Sequence, residues 1–302
     1  MMTARLNSSA TTTFSWLIRR EFWENRAAWI LPAAIGAFML IVALFGKVQI
    51  AELPEHLSPD QLQLVGPMMF AGIGSAMAAM MSIYTAWYLL DCLYTERKDR
   101  SVLFWKSLPV TDSMTVLSKL AMALIVIPLV YLAVADVTAL GIAFVFSVRG
   151  GSQYAAQLWN AGTWLQFQIA AVYIIITTAI WYLPFSAWLL LASAYAKRAV
   201  TLWALLVPLA VVVAEIKLLG TNNLWMMLKN HMLNYPGAAF KGESNYSMHT
   251  AFDKSVASTP KNLTEILDPV GFLTNPSTWI AIAVGAALVY AAIVLRRRST
   301  EI

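Results

Sequence analysis

Charge is what this chain has least of. Only 12% of its 302 residues are Asp, Glu, Lys or Arg, about half the roughly 25% usual in soluble domains, too little to cover a water-soluble fold of this length. Cysteine occurs once, at Cys92, which excludes an internal disulfide and any metal site built on a Cys pair. The histidines, His56, His231 and His249, lack a His-Glu-x-x-His spacing and no paired carboxylates stand out, so membrane zinc-protease chemistry has no support. No Gly-rich loop ends in Gly-Lys-Ser or Gly-Lys-Thr, and the hydrophilic stretches are too short for a nucleotide-binding domain. The chain is therefore expected to be neither an ATPase nor another enzyme, and to bind no cofactor or metal itself. A net charge of +5 without basic clusters interleaved with exposed aromatics argues against nucleic acid as a partner.

What is abundant is hydrocarbon: 59% of residues are hydrophobic and the mean hydropathy is +0.64. A helix needs roughly 20 apolar residues to cross a bilayer core, and no open sheet satisfies its backbone there. Stretches at 27–46, 67–90, 116–148, 167–194, 201–219 and 278–295 meet that demand, predicting an all-α membrane protein with six transmembrane helices and a single domain over 1–302. The third and fourth stretches exceed one crossing, with Pro128 and Pro184 as the expected kink sites. Arg19 and Arg20 precede the first stretch, but no small-residue cleavage region closely follows Gly46, so this stretch is read as a retained span.

Lys and Arg are densest around Arg5, Arg19, Arg20, Arg26, in 97–106, at Lys119, Lys197, Arg198 and in Arg296–Arg298. With six spans these all fall on one side, which positive-inside bias makes cytoplasmic, together with both termini. The expected location is a cell membrane, the inner membrane of a bacterium. The opposite side carries the long segment 220–277, too apolar at Trp225, Met226, Met227, Leu228, Phe240, Tyr246 and Phe252 for a disordered linker. A small helical extracytoplasmic cap is expected there, with 224–233 as a candidate to dip into the membrane boundary.

Two segments suggest contact with a protein. In 14–26, Phe14, Ile18 and Phe22 recur every four residues while Arg19, Arg20, Glu24 and Arg26 are free to face water or headgroups, the pattern of a helix lying along the inner face. The bland alternative is the frayed base of the first span, touching lipid alone. Between the second and third spans, Glu96 and Arg100 are one helical turn apart, Val102, Leu103 and Trp105 offer an apolar surface beside Lys106, and Pro109 ends the element. Thr111 or Asp112 is then the expected cap of the third span. Such a connector is either a docking knob or an anchored loop.

Glu96-Arg97, then Ser107-Leu108-Pro109-Val110 and Ser118-Lys119, together with Phe14-Ser15-Trp16-Leu17-Ile18-Arg19-Arg20-Glu21-Phe22-Trp23-Glu24-Asn25, resemble the pattern of ABC-2 type transporter permeases. Asp99-Arg100 departs from it, since many members have Gly-Thr there, and the connection before the last span is of unusual length. The resemblance implies the transmembrane subunit of an ABC exporter, a homodimer or a dimer with a similar permease, docked to two cytoplasmic ATPase subunits that hold ATP and Mg. It implies that 14–26 is an interface helix and that 96–108 is a coupling helix seated on the ATPase. Phe14, Ile18, Arg19, Arg20, Phe22, Glu96, Arg97, Arg100, Leu103, Trp105, Lys106 and Leu108 would then carry partner contact, and the first, second and fifth spans would meet the second copy. A noncatalytic membrane scaffold or regulatory subunit is the alternative.

Within the spans, Asp136 costs roughly 2.5–3.5 kcal/mol if ionised and facing lipid, so it should face protein or water, either as a pathway residue or as a structural hydrogen-bonding group. Gly72 and Ala76, four apart in the second span, allow close helix approach, where membrane helices gain most from van der Waals contact. The neighbouring Met68, Met69, Met77, Met80 and Met81 read first as packing and second as a deformable pathway. Glu215 and Lys217 are expected at the outer boundary of the fifth span.

Overall fold

Lipid gives a backbone N–H no partner outside the chain, so the apolar runs can persist only as helices, and the computed structural model shows them as such. It describes residues 2–45, 59–99, 110–149, 158–241 and 263–298. The order is α1 (Met2–Glu24), α2 (Ala27–Phe45), α3 (Pro59–Asp91), α4 (Tyr94–Lys98), α5 (Asp112–Ala121), a π-helical segment (Met122–Val126), α6 (Ile127–Arg149), α7 (Ala161–Trp181) and α8 (Leu183–Tyr195). Then come α9 (Val200–Leu219), α10 (Asn223–Leu233), α11 (Tyr235–Ala239), a 3-10 turn (Leu263–Ile266), α12 (Pro269–Thr274) and α13 (Pro276–Arg298). Among the described residues the one non-helical pairing is an isolated antiparallel bridge, Phe240 to Leu267. Six helices are long and apolar enough to cross a membrane: Ala27–Phe45, Gly66–Lys98, Asp112–Arg149, Ala161–Trp181, Val200–Leu219 and Pro276–Arg298.

Prolines decide where these rods bend. Pro128 has no N–H to give Leu124 and its ring crowds that carbonyl; the helix absorbs the misfit in the wider π turn just before it, so α5 and α6 stay one rod. The other expected kink is a full break. Helix α7 stops at Trp181, Tyr182 is a turn, and α8 restarts with Pro184 in its first turn, where a missing N–H costs nothing. Pro208 inside α9 frees the carbonyl of Ala204, and the Trp188 indole N–H donates to it at 2.9 Å. A span-breaking proline is thereby converted into a tie between α8 and α9.

The core runs between α2, α3, the π segment, α6, α8 and α13, with Ala28, Met77, Ile127, Tyr131, Leu190 and Ala292 all buried. Small residues set the closest approaches: a Cβ at Gly36 of α2 would lie 2.5 Å from Thr138 Oγ1, and one at Gly285 of α13 would lie 2.5 Å from Leu183 Cγ. Outside this core the helices present apolar side chains outward, Phe38, Trp87, Val137, Leu205 and Tyr290 among them, as lipid contact requires.

The described part of 220–277 packs beside the α7–α8 break. Gly220 takes a left-handed φ of 66° to end α9. Glu215 then accepts the N–H groups of Asn223 and Leu224 and the Thr221 hydroxyl, all at 2.8–2.9 Å, so its carboxylate caps the positive end of α10. At the far end His231 stacks on Trp181 with ring centroids 4.5 Å apart, and each residue bonds the other's backbone carbonyl. Because Trp181 O can only accept, His231 Nε2 is the protonated nitrogen. Tyr235 is buried against the same aromatic group and pairs with Thr177 at 2.8 Å. Burial pushes its phenol up to about 12, so it stays neutral.

Candidate functional site

Helix α1 buries a stripe that includes Leu17 and, one turn on, Glu21. A carboxylate on the buried face of a helix needs partners, and Glu21, 1% exposed, has them from two other helices. Tyr88 of α3 donates to Oε2 at 3.0 Å and Lys119 of α5 to Oε1 at 2.9 Å. Arg20 closes on the same Oε1 from the next position in the chain. Lys119, 3% exposed, also lies 3.0 Å from Glu96 Oε1. Glu96, 8% exposed, receives Arg296 of α13 on its other oxygen at 2.6 Å and Arg20 at 3.5 Å. Arg296 Nε in turn sits 3.2 Å from Asp112 at the start of α5.

Three carboxylates (Glu21, Glu96, Asp112) and three cations (Arg20, Lys119, Arg296) thus form one balanced node. It ties α1, the α3–α4 end, the start of α5 and the end of α13. At its rim Arg20 also reaches Glu24 at 3.3 Å. Partial burial raises the pKa of the Glu24 carboxyl against the opposing pull of Arg20.

A second weld lies beside it. Arg97, also buried, donates to the carbonyls of Ser193 and Ala196 at 2.6 and 2.8 Å, satisfying orphan acceptors at the end of α8. Ser193 Oγ accepts the N–H groups of Leu93 and Tyr94 at 3.1 and 3.0 Å. The chain entering the connector is therefore fixed to α8 by Arg97 and to α1, α5 and α13 by Glu96. On the other side of the connector Thr111 caps α5 by accepting Met114 N–H, while Asp112 joins the node instead of capping.

Of the residues singled out in the sequence for partner contact, Arg100, Leu103, Trp105, Lys106 and Leu108 lie outside the described residues. Glu96 and Arg97 point into the bundle and support the connector from within. Phe14, Ile18 and Phe22 are half-buried, Arg19 is exposed with its guanidinium 5.2 Å from the Trp16 ring, and Arg20 belongs to the node. Gly72 faces open space, with nothing within 4 Å of a Cβ built there, and Ala76 is half-buried. Asp136 faces protein, accepting Gln168 Nε2 at 2.7 Å.

Sequence reasoning passed over Glu21, Lys119 and Arg296 as site residues. The signal for Glu21 was present: it falls on the same face as Leu17, where an amphipathic helix normally carries an apolar side chain. Lys119 and Arg296 read as topology charges because their partners lie 98 and 200 residues away. No known protein-family profile, no curated protein and no solved structure matches this chain.

Proposed function

We propose that the chain is the permease subunit of an ATP-driven exporter of the ABC-2 kind, moved by separate ATPase subunits that bind ATP and Mg. The observation that carries this reading is that both flanks of the 100–109 connector are anchored in the same buried node as α1 and α13. A force applied to a loosely held loop would be lost in its own motion. Applied here, it is delivered to α1, α3, α5 and α13 together, and through Arg97 to α8. That is what a transporter driven from outside the membrane requires if it is to shift between two packed states. The node end is also the Lys- and Arg-rich end, which makes it cytoplasmic by the positive-inside rule and the two termini with it. A second permease copy completes the pathway, with Gly72 on an open face of α3.

Purification from native membranes under mild cross-linking tests the reading. The chain is expected to bring down an ATPase without membrane spans, and substitution of Arg100, Trp105 and Lys106 together should abolish that capture while membrane insertion is kept. Recovery of the intact chain with no ATPase would overturn the reading. Capture of an ATPase whose hydrolysis moves nothing in reconstituted vesicles would favour the regulatory-subunit alternative.

A further inference from the structure

Asp136 sits about two-thirds of the way along a membrane-crossing rod, Asp112–Arg149. Gly36, halfway along the 19-residue α2, packs against Val134 and Thr138, two residues to either side of Asp136. Helix α2 is ~28 Å long at ~1.5 Å per residue, just enough to cross a hydrocarbon core about 30 Å thick, so Asp136 lies beside the middle of the α2 span. A carboxylate there is a functional site by default.

Its surroundings are a seam between two antiparallel rods. On one side Ile125, Leu129, Asp136 and Leu140 follow each other at spacings of four, seven and four, on one helix face. On the other, Trp164, Gln168, Val172 and Ile176 recur every four residues along α7. A cavity of about 340 Å³, lined wholly by aliphatic side chains including Leu124, Leu129, Val172 and Ile180, opens on one side of the Asp136–Gln168 bond. A second, of about 290 Å³, lies beyond it at Leu140, Trp159 and Trp164. Neither cavity has a basic residue in its lining. Gln168 bonds Asp136 Oδ1 at a position along the seam between the two cavities, and neither residue belongs to either lining.

We propose that this seam is a lateral groove for a single-chain cationic amphiphile entering from the bilayer, its ammonium against Asp136 and its hydrocarbon in the Leu124–Ile180 cavity. The carboxylate supplies the charge complement in a medium where an unpaired ion is costly. A phospholipid fits poorly, because among the described residues its phosphate would meet no cation in either cavity lining. The larger volume stands at the low end of the roughly 300–1,000 Å³ of small-molecule pockets and the smaller just below it, the size for one chain. Gln168 is a positioning residue. The proposal deepens the transport reading by naming a cargo class, and rests on that reading for the word cargo alone.

Saturable binding of dodecyltrimethylammonium to the full chain in nanodiscs, at sub-solubilising concentrations, provides the test, with dodecanol and dodecylphosphocholine for comparison. The cation should bind at least tenfold more tightly than either. Asp136→Asn keeps an acceptor for Gln168 and should erase that preference while dodecanol binding stays within twofold. Ile176→Trp, which fills the groove without touching the carboxylate, should weaken the cation tenfold and serves if Asp136→Asn does not fold. Equal binding of all three amphiphiles, or unchanged cation binding in Asp136→Asn or in Ile176→Trp, would overturn the proposal and leave Asp136 as a helix clamp; phosphocholine binding as well as the cation would overturn it in favour of a phospholipid groove. The measurement uses no ATPase, so its failure and the failure to capture an ATPase are separate results.

Discussion

Lys119 is the residue on which the node turns, because its one ammonium lies within 3.0 Å of both Glu21 and Glu96. Its replacement by Met would leave Glu21 to Arg20 and Tyr88 and Glu96 to Arg296 and Arg20, with one buried negative charge uncompensated, and removing one partner of a buried ionic group costs about 3–5 kcal/mol. Thermal unfolding in detergent should show that loss for Lys119→Met. The Lys119→Met/Glu21→Gln pair should recover part of it, since one stranded charge is then gone, and simple additivity in that cycle would mean the two groups do not interact. Arg97 makes a different demand. It bonds two carbonyls at once with Nη2, and Lys offers a point charge where Arg offers a planar fork. Arg97→Lys is expected to cost about 1.5–3 kcal/mol, the worth of hydrogen bonds to a charged group, and hydrogen exchange at Leu93 and Tyr94 should rise with it. Wild-type protection at those amides would show that Ser193 alone holds the connector.

At the scale of elements, glycine separates filled contacts from open ones. Gly285→Ala would place a Cβ 2.5 Å from Leu183, in the contact that aligns α13 with α8, and overpacking of this kind costs about 1–3 kcal/mol. Gly72→Ala meets nothing within the chain and should stabilise an isolated protomer by up to about 1 kcal/mol through helix propensity alone. Comparison of the two by thermal unfolding checks the packing, and a destabilising Gly72→Ala in the assembled protein would mark a second copy against that face. The spans themselves were legible in hydropathy because lipid dictates their length and helicity. The start of α7 at Ala161 was less so, since Gln166 and Gln168 dilute its first turns and Gln168 is there for a partner on another helix. Pro184 announced a disturbance but not its kind. A kink and a full break differ by what packs into the gap, here His231 from 50 residues away, and no local pattern carries that.

For the whole molecule, the side of the membrane on which each end lies is the property most readily tested. The node, Lys197 and Arg198 all lie at one end of the bundle, while Lys229 sits on α10 at the α7–α8 break. Local sequence favoured this arrangement through charge density. It did not reveal that Glu21, Glu96, Lys119 and Arg296 spend their charge on one another, for such pairing exists only once four distant segments meet. Because those charges are internally balanced, they add little to the net positive potential of that end. The topological signal must then be carried by the exposed cations, such as Arg19, Arg26, Lys197 and Arg198. Cys92 is buried and is the one native thiol, so introduced cysteines can be read against a silent background. A membrane-impermeant maleimide applied to intact cells should label Lys229→Cys and leave Lys197→Cys untouched until the membrane is opened. The reverse pattern would put the connector on the outer side, beyond reach of any cytoplasmic ATPase, and the exporter reading would fall while the helical architecture stood.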